Sequence, residues 1–550
     1  MRFFIALILS LVTISANTQT TQKKSETKLA GRPKLVVGIV IDQMRWDFLY
    51  RFHDRYSTKG GFKRMMYEGF SFDNTFIPYM PTVTGCGHAS IYTGTVPAIN
   101  GIVGNNWPDR KEGRMVYCSE DKNVNGVGTN ASSGQMSPRN MLSTSVCDEL
   151  KLATNFKSKV IGVAMKDRGS ILPAGHSADA AYWYESKSGN WISSTHYLDR
   201  LPEWVNKFND SKFPDFYYKK GWNTLYDIQT YHQSTKDNKD YAGSPFGKDQ
   251  KGFPYNLQNF IGNNYDPILK TPHGNSLTLS FAKEAIRNES LGSDEITDFL
   301  AISFSSPDYI GHIFGPNSIE IEDNYIRLDQ ELGAFFDYLD ATIGKGNYLC
   351  FLTADHGVAH VPEFLKQHNI PGGVIDDKKI TDTLNTFLKQ KYGGDKLIYY
   401  LHNYQLYVNH ERIDSLGIST EDVYTDIINF CHGIEGIDRI FELDEVMETP
   451  LPVSVREQIV NGYHPKRSGD LQVILKPGWI DGSKTGTTHG LWNPYDSHIP
   501  LLWYGWKIPK GASTREVYMT DIAVTVSALL HIQMPSGSIG KSLISLMNIK

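Results

Sequence analysis

Three apolar runs, far apart in the chain, each lead into an acidic residue. Leu35 to Ile41 runs straight into Asp42. Phe299 to Phe304 is followed by Asp308 and His312, and Tyr348 to Thr353 by the adjacent pair Asp355 and His356. Short runs without polar alternation read as strands buried on both faces, the mark of a parallel sheet covered by helices. In such a sheet the loops beyond the strands' carboxyl ends converge, whatever their separation in sequence. Between the second and third runs, Asp323 to Ile343 carries Tyr325, Leu328, Leu332, Phe335, Phe336 and Leu339 at helical spacing, which predicts a crossover helix packed on the sheet. The expected fold is α/β, an α/β/α sandwich with a mostly parallel central sheet and two large insertions.

Taken singly, these fragments also have plainer readings. A carboxylate after a strand often only caps a turn or a helix. Asp-x-x-x-His recurs by chance, and His489 in "TGTTHGLWNP" alone is a polar loop residue. The pair Asp355–His356, followed by Gly357 at a presumed sharp turn, resists that treatment better. Their joint placement carries the argument, because the plain readings need several independent coincidences. Asp42, Asp308, Asp355, His312, His356, His489 and a hydroxyl at Thr84 are too few ligands to saturate two metal ions. Open sites of that kind catalyse rather than brace a fold.

The fragment "MPTVTGCGHASIYTG" supplies the hydroxyl. Thr84 precedes Gly85 and Gly87, and His88 to Thr93 reads as the first turns of a helix, so the hydroxyl lies near the positive end of a helix dipole. A neighbouring metal would favour its alkoxide. The alternative, a threonine N-cap at Thr82 or Thr84, stays open here. In "VAMKDRGS", Val160 to Met165 resembles a core strand, with Lys166 and Arg168 at its end. Side chains two apart in an extended segment share a face, so both cations could meet one anion, the arginine as a bidentate fork. The alternative is a solvated basic turn paired with Asp167.

In this order the motifs resemble the alkaline phosphatase superfamily, and more closely its bacterial branch of phosphate-irrepressible, PafA-type alkaline phosphatases, from about Pro33 to Leu546. The resemblance implies two Zn2+ per chain. One would be held by Asp308, His312 and His489, the other by Asp42, Asp355, His356 and the Thr84 oxygen. It also implies that Asn105, in "GIVGNNWP", hydrogen-bonds a phosphoryl oxygen and that Lys166 and Arg168 grip the transferred group. The reaction implied is hydrolysis of small-molecule phosphate monoesters through a phosphothreonine at Thr84, which water then cleaves. A nucleotide pyrophosphatase or phosphodiesterase is the alternative. It would share the metal sites and Thr84, but that branch generally lacks a pair like Lys166 and Arg168. A sulfatase would need Cys or Ser followed by x-Pro-x-Arg, a phosphoglycerate mutase a Ser in place of Thr84, and a zinc-storing protein has no use for a hydroxyl among its ligands.

The rest of the chain suits a large exported enzyme. Met1 to about Ala16 has Arg2, an apolar stretch and then small residues, which reads as a cleaved signal peptide and implies a periplasmic or secreted location without a stable membrane anchor. Residues 17–32 read as a flexible linker. Five cysteines, at 86, 118, 147, 350 and 431, leave at least one unpaired within the chain and show no metal-ligand spacing; Cys86 reads as a packed small residue. A net charge of −5 without a basic tract argues against nucleic acid as partner, and a monomer is favoured. The core is expected in three parts, 33–170, 296–357 and 466–550. The insertions are 171–295, near the active site, and 358–465. His88, His360, His368, His464 and His498 take structural readings.

Overall fold

The computed structural model of the protein describes residues 31–547. The expected signal peptide, and the linker apart from Gly31 and Arg32, lie outside the described residues. Strands Tyr348–Thr353, Leu35–Ile41, Asp298–Phe304, Val160–Ala164 and Ala180–Glu185 lie side by side and parallel at the centre of an 11-stranded sheet. Leu501–Gly505 adds antiparallel on one side, with Phe70–Phe76 antiparallel to it in turn, and Asn190–Ser194 adds antiparallel on the other. All seven residues of Leu35–Ile41 and of Asp298–Phe304 are buried, as two-sided helix cover requires. The register pairs Val40 with both Thr353 and Ser303, and Ser303 with Ala164. Four strands therefore end level, on one edge.

The crossover helix spans Ile319–Leu339 and buries Tyr325, Leu328, Leu332, Phe335, Phe336 and Leu339. Its Asp323 is buried but fully answered: it accepts from Trp222 Nε1 at 2.8 Å, Leu225 N at 2.6 Å, Tyr231 Oη at 2.5 Å and Arg327 Nε at 2.7 Å. Those contacts tie the segment around residues 222–231 to the core, and a buried carboxylate so bonded escapes the cost of an unpaired charge.

The expected insertion boundaries need correction. Ala180–Glu185 and Asn190–Ser194 belong to the central sheet, and the helix His273–Asn288 packs on it, so the first insertion shrinks to about residues 195–272. The aromatic run "AAYWYE" is buried throughout, and its tyrosines and tryptophan hid a core strand behind a polar-looking composition. Leu471–Leu475 was expected to help close the core. It lies instead in a separate four-stranded sheet with Gln405–Val408, Ile398–His402 and Ile437–Glu442. A five-residue apolar run says that a strand is buried, not in which sheet. This side domain has its own apolar core, including Leu384, Leu406, Val423, Ile427 and Leu471. Its helix Asp377–Tyr392 ends at Gly393, in the left-handed region that suits glycine.

Candidate active site and metal centre

Because the strands end level, the residues that follow them meet. Asp42 follows its strand directly. Asp355 and His356 come two and three residues past theirs, and Asp308 and His312 lie on the helix Ser306–Phe314 that opens just beyond the third. His489 arrives from a loop on the side-domain flank. Asp308, His312 and His489 form one group able to hold a metal ion, and Asp42, Asp355 and His356 a second. The carboxylates and imidazoles named from the sequence are thus brought together in two groups, with Thr84 named for the second as well.

The histidine tautomers make the case for cations. Nδ1 of His312 lies 2.8 Å from the Thr487 carbonyl, Nδ1 of His356 2.9 Å from that of Gly357, and Nδ1 of His489 2.7 Å from that of Thr82. A carbonyl only accepts, so each Nδ1 carries the proton and a neutral ring presents Nε2 as a lone pair. Those nitrogens face carboxylate oxygens: His312 Nε2 lies 3.1 Å and His489 Nε2 3.6 Å from Asp308 Oδ1, and His356 Nε2 lies 3.4 Å from Asp355 Oδ2 and 3.5 Å from Asp42 Oδ1. Asp42 Oδ1 and Asp355 Oδ2 are buried without a hydrogen-bond partner. Acceptors facing acceptors in a buried site fit a shared metal ion. Burial, only partly offset by Asp355, pulls the His356 pKa down to about 3. For His312, burial is outweighed by Asp308 and its other neighbours, which raise the pKa above the ordinary histidine value.

Thr84 opens the helix Thr84–Thr93 rather than preceding it. The N-cap is Val83, and no side chain caps this end. Thr82 is engaged elsewhere, with its hydroxyl on the Leu491 carbonyl at 2.9 Å, so the capping reading fails for both threonines. Thr84 Oγ1, buried at the helix N-terminus, lies 3.4 Å from His356 Nε2 and accepts from Lys166 Nζ at 3.3 Å. Gly87 lets this helix close on the loop that carries Asp355, since a Cβ there would sit 2.5 Å from the Asp355 backbone oxygen. Gly357 serves closeness too: its φ is not positive, and an added Cβ would meet the Tyr495 carbonyl at 2.2 Å. The expectation that it permits a sharp turn gives way to that close approach.

Lys166 and Arg168 do not lie on one extended face, as the sequence suggested. The strand ends at Ala164, Lys166 is the N-cap of the helix Asp167–Ala174, and Arg168 is in its first turn. Lys166 still reaches the site. Lys166 Nζ donates to Asp42 Oδ2 at 2.7 Å and to Asp308 Oδ2 at 2.6 Å, joining one carboxylate of each metal group. Burial alone would strip its proton, but Asp308 and Asp42 hold the pKa above the ordinary lysine range. Arg168 Nη1 donates to Tyr117 Oη at 3.0 Å, while its buried Nε has no partner. Asp167, the partner in the plain reading, instead accepts from the Tyr117 hydroxyl and the Arg168 backbone. Asn105 Oδ1 accepts from Gly85 N at 2.7 Å, and its side chain borders the same cavity as His312 and His489.

Two contributors escaped the sequence reading. Gln43, held in the left-handed region at φ 68°, donates Nε2 to Asp308 Oδ1 at 2.7 Å and its backbone N–H to Asp355 Oδ1 at 3.1 Å, so it orients one ligand of each group. His88, expected to be merely structural, is fully buried with Nδ1 2.9 Å from the Thr84 carbonyl and 3.3 Å from Asp355 Oδ2. Its spacing of four from Thr84 on one helix was the available signal. Cys86 is packed as expected, donating Sγ–H to the Ile102 carbonyl, and all five cysteines are free and buried.

Comparison with known proteins settles the family. Residues 36–497 match the type I phosphodiesterase / nucleotide pyrophosphatase family. The chain is 51% identical over 537 residues to alkaline phosphatase PhoV of Synechococcus elongatus, covering 97% of each protein. It is 48% identical over 523 residues to alkaline phosphatase PafA of Elizabethkingia meningoseptica, covering 94% and 95%. The crystal structure of wild-type alkaline phosphatase PafA superposes with a TM-score of 0.91 at 47% identity, over 94% of this chain and 99% of that one. The chain belongs to the PafA-type alkaline phosphatases. It is accordingly a hydrolase of phosphate monoesters with the alkaline-phosphatase-like α/β fold. A relative from Myroides odoratus, 51% identical over 92% of this chain and 94% of its own length, carries the name calcium-transporting ATPase. No helix among the described residues of this phosphatase is long and apolar enough to cross a membrane. A PafA variant altered at one threonine, one asparagine, one lysine and one arginine has the same fold, with a TM-score of 0.91.

Proposed function

We propose that this phosphatase holds two zinc ions, one on Asp308, His312 and His489 and the other on Asp42, Asp355, His356 and the Thr84 oxygen, and that it works through a phosphothreonine at Thr84. The observation that carries the reading is the meeting of bare Nε2 lone pairs and unpartnered carboxylate oxygens around a buried threonine hydroxyl. Imidazole and carboxylate suit zinc, and bound zinc would favour ionised hydroxyls and neutralise charge on phosphoryl oxygens. Thr84 Oγ forms the new bond to phosphorus as the ester P–O bond breaks, and the alkoxide leaves as the alcohol after taking a proton from solvent. Water then splits the phosphothreonine, returning the hydroxyl and releasing phosphate.

The neighbours' part is to hold the equatorial oxygens. Lys166 is already 3.3 Å from Thr84 Oγ1, Arg168 has a buried Nε in need of an acceptor, and Asn105 has spent its oxygen on Gly85, leaving its amide N–H free to donate. Threonine, asparagine, lysine and arginine are also the residue types altered in the PafA variant, which supports these four assignments. The pairing of two cations beside Thr84 favours monoesters over the diesters named in the wider family, because a monoester offers one more free oxygen and one more charge. Export to the periplasm or outside belongs to the same proposal and rests on Met1 to Ala16. Elemental analysis of the purified enzyme should find two zinc ions per chain, with activity lost to chelation and restored by zinc. About one metal ion, with activity surviving exhaustive chelation, would overturn the reading.

A further inference from the structure

Beside the metal centre lies a cavity of about 220 Å³ that the phosphoryl-transfer machinery does not fill. Its inner end is Asn105, His312 and His489, so whatever alcohol is esterified to a phosphoryl group on Thr84 projects into it. Its outer wall comes from the side domain and the segment that follows. Leu401 and the buried ring of Tyr404 give an apolar and aromatic surface, and Asp377 and Asp481 stand at the rim. No lysine or arginine lines this cavity, and neither carboxylate forms an ion pair among the described residues. The two acids are held close: Asp377 N donates to Asp481 Oδ1 at 3.1 Å. Burial, with Asp377 next, pushes the Asp481 pKa up to about 6, still ionised in alkaline medium.

We infer that this cavity is a leaving-group subsite selecting phosphate monoesters of short alcohols that bear a cationic amine, and that Asp377 and Asp481 set the preference. The inference rests on the proposed role of Thr84 and its neighbours, since these fix which end of the substrate enters. Two carboxylates bonded to backbone N–H groups but to no cation among the described residues attract an ammonium group, Tyr404 offers it a ring face, and Leu401 packs the alkyl stem. The same pair repels an anionic leaving group such as a carboxylated or further phosphorylated alcohol. Screening at a half-open rim limits the gain, and one screened ion pair with one cation–π contact gives about tenfold.

The test compares kcat/KM of the zinc-loaded, full-length enzyme at pH 8 for three substrates: 2-aminoethyl phosphate, propyl phosphate and 2-carboxyethyl phosphate. The native enzyme should favour the amine over the neutral ester by about tenfold and the neutral over the acid by a similar factor. In the double variant Asp377→Asn, Asp481→Asn the three values should converge, with propyl phosphate turnover within about twofold of native as the check that the fold and metal centre are intact. Equal native rates for the three esters, or an order unchanged in the double variant, would overturn the subsite while leaving the phosphatase mechanism standing. Failure to turn over propyl phosphate at all would instead strike the Thr84 reading on which the subsite depends.

Discussion

Replacing Arg168 with alanine isolates the charge that should separate monoesters from diesters. Lys166 is a poor probe, because its ammonium also bonds a carboxylate of each metal group, whereas Arg168 is anchored on Tyr117 and touches neither. A hydrogen bond from a charged donor contributes on the order of 1.5 to 3 kcal/mol, or roughly tenfold to a hundredfold in rate. A Coulomb estimate bounds it from above: one extra substrate charge about 4 Å from the guanidinium, at an effective dielectric near 20, is about 4 kcal/mol. Arg168 is partly exposed, so screening brings the effect toward the lower figure. Arg168→Ala should therefore lower kcat/KM for 4-nitrophenyl phosphate by roughly 10- to 100-fold and for methyl 4-nitrophenyl phosphate by only a few-fold, with metal content unchanged. Both substrates share a leaving group, so the ratio reports the phosphoryl contacts alone. An equal fall for both would refute the reasoning and make the arginine a structural residue.

Two further perturbations follow. Lys166→Met removes a positive charge lying 2.6 to 2.7 Å from Asp42 and Asp308. It should tighten zinc binding by roughly tenfold or more in a chelator-competition titration. It should also cost the metal-free protein about 3 to 5 kcal/mol in urea unfolding, because two buried carboxylates lose their donor. Looser zinc binding would show that the lysine orients the ligands more than it competes with the metal. Leu332→Ala, at a fully buried position of the crossover helix, should lower stability by about 2 to 5 kcal/mol in the same unfolding assay while the folded fraction keeps its metals and its kcat.

What the sequence revealed and what it hid divide along physical lines. The runs before Asp42, Asp308 and Asp355 were legible because strands buried on both faces leave uninterrupted apolar stretches, and level strand ends then bring the following residues together. The crossover helix was legible from its period. The aromatic strand Ala180–Glu185 was not, because its bulk reads as surface until the sheet covers it. Leu471–Leu475 was assigned to the wrong sheet, since strand composition does not encode strand partners. Lys166 reached the site by a different route from the one inferred, and Arg168 does not share its face: a helix starts between them, and alternation fails where the extended chain ends. Gln43 was invisible, because its role depends on a left-handed backbone beside Asp42 that no periodicity announces.

The most direct test of the account is to acid-quench the enzyme during turnover of a phosphate monoester and map the phosphorylated residue by mass spectrometry. The account predicts phosphate on Thr84. In Thr84→Ala, a fold and metal content like the native should accompany loss of nearly all activity, and Thr84→Ser should retain much more. Phosphate on any other residue, or a fully active Thr84→Ala enzyme, would contradict it.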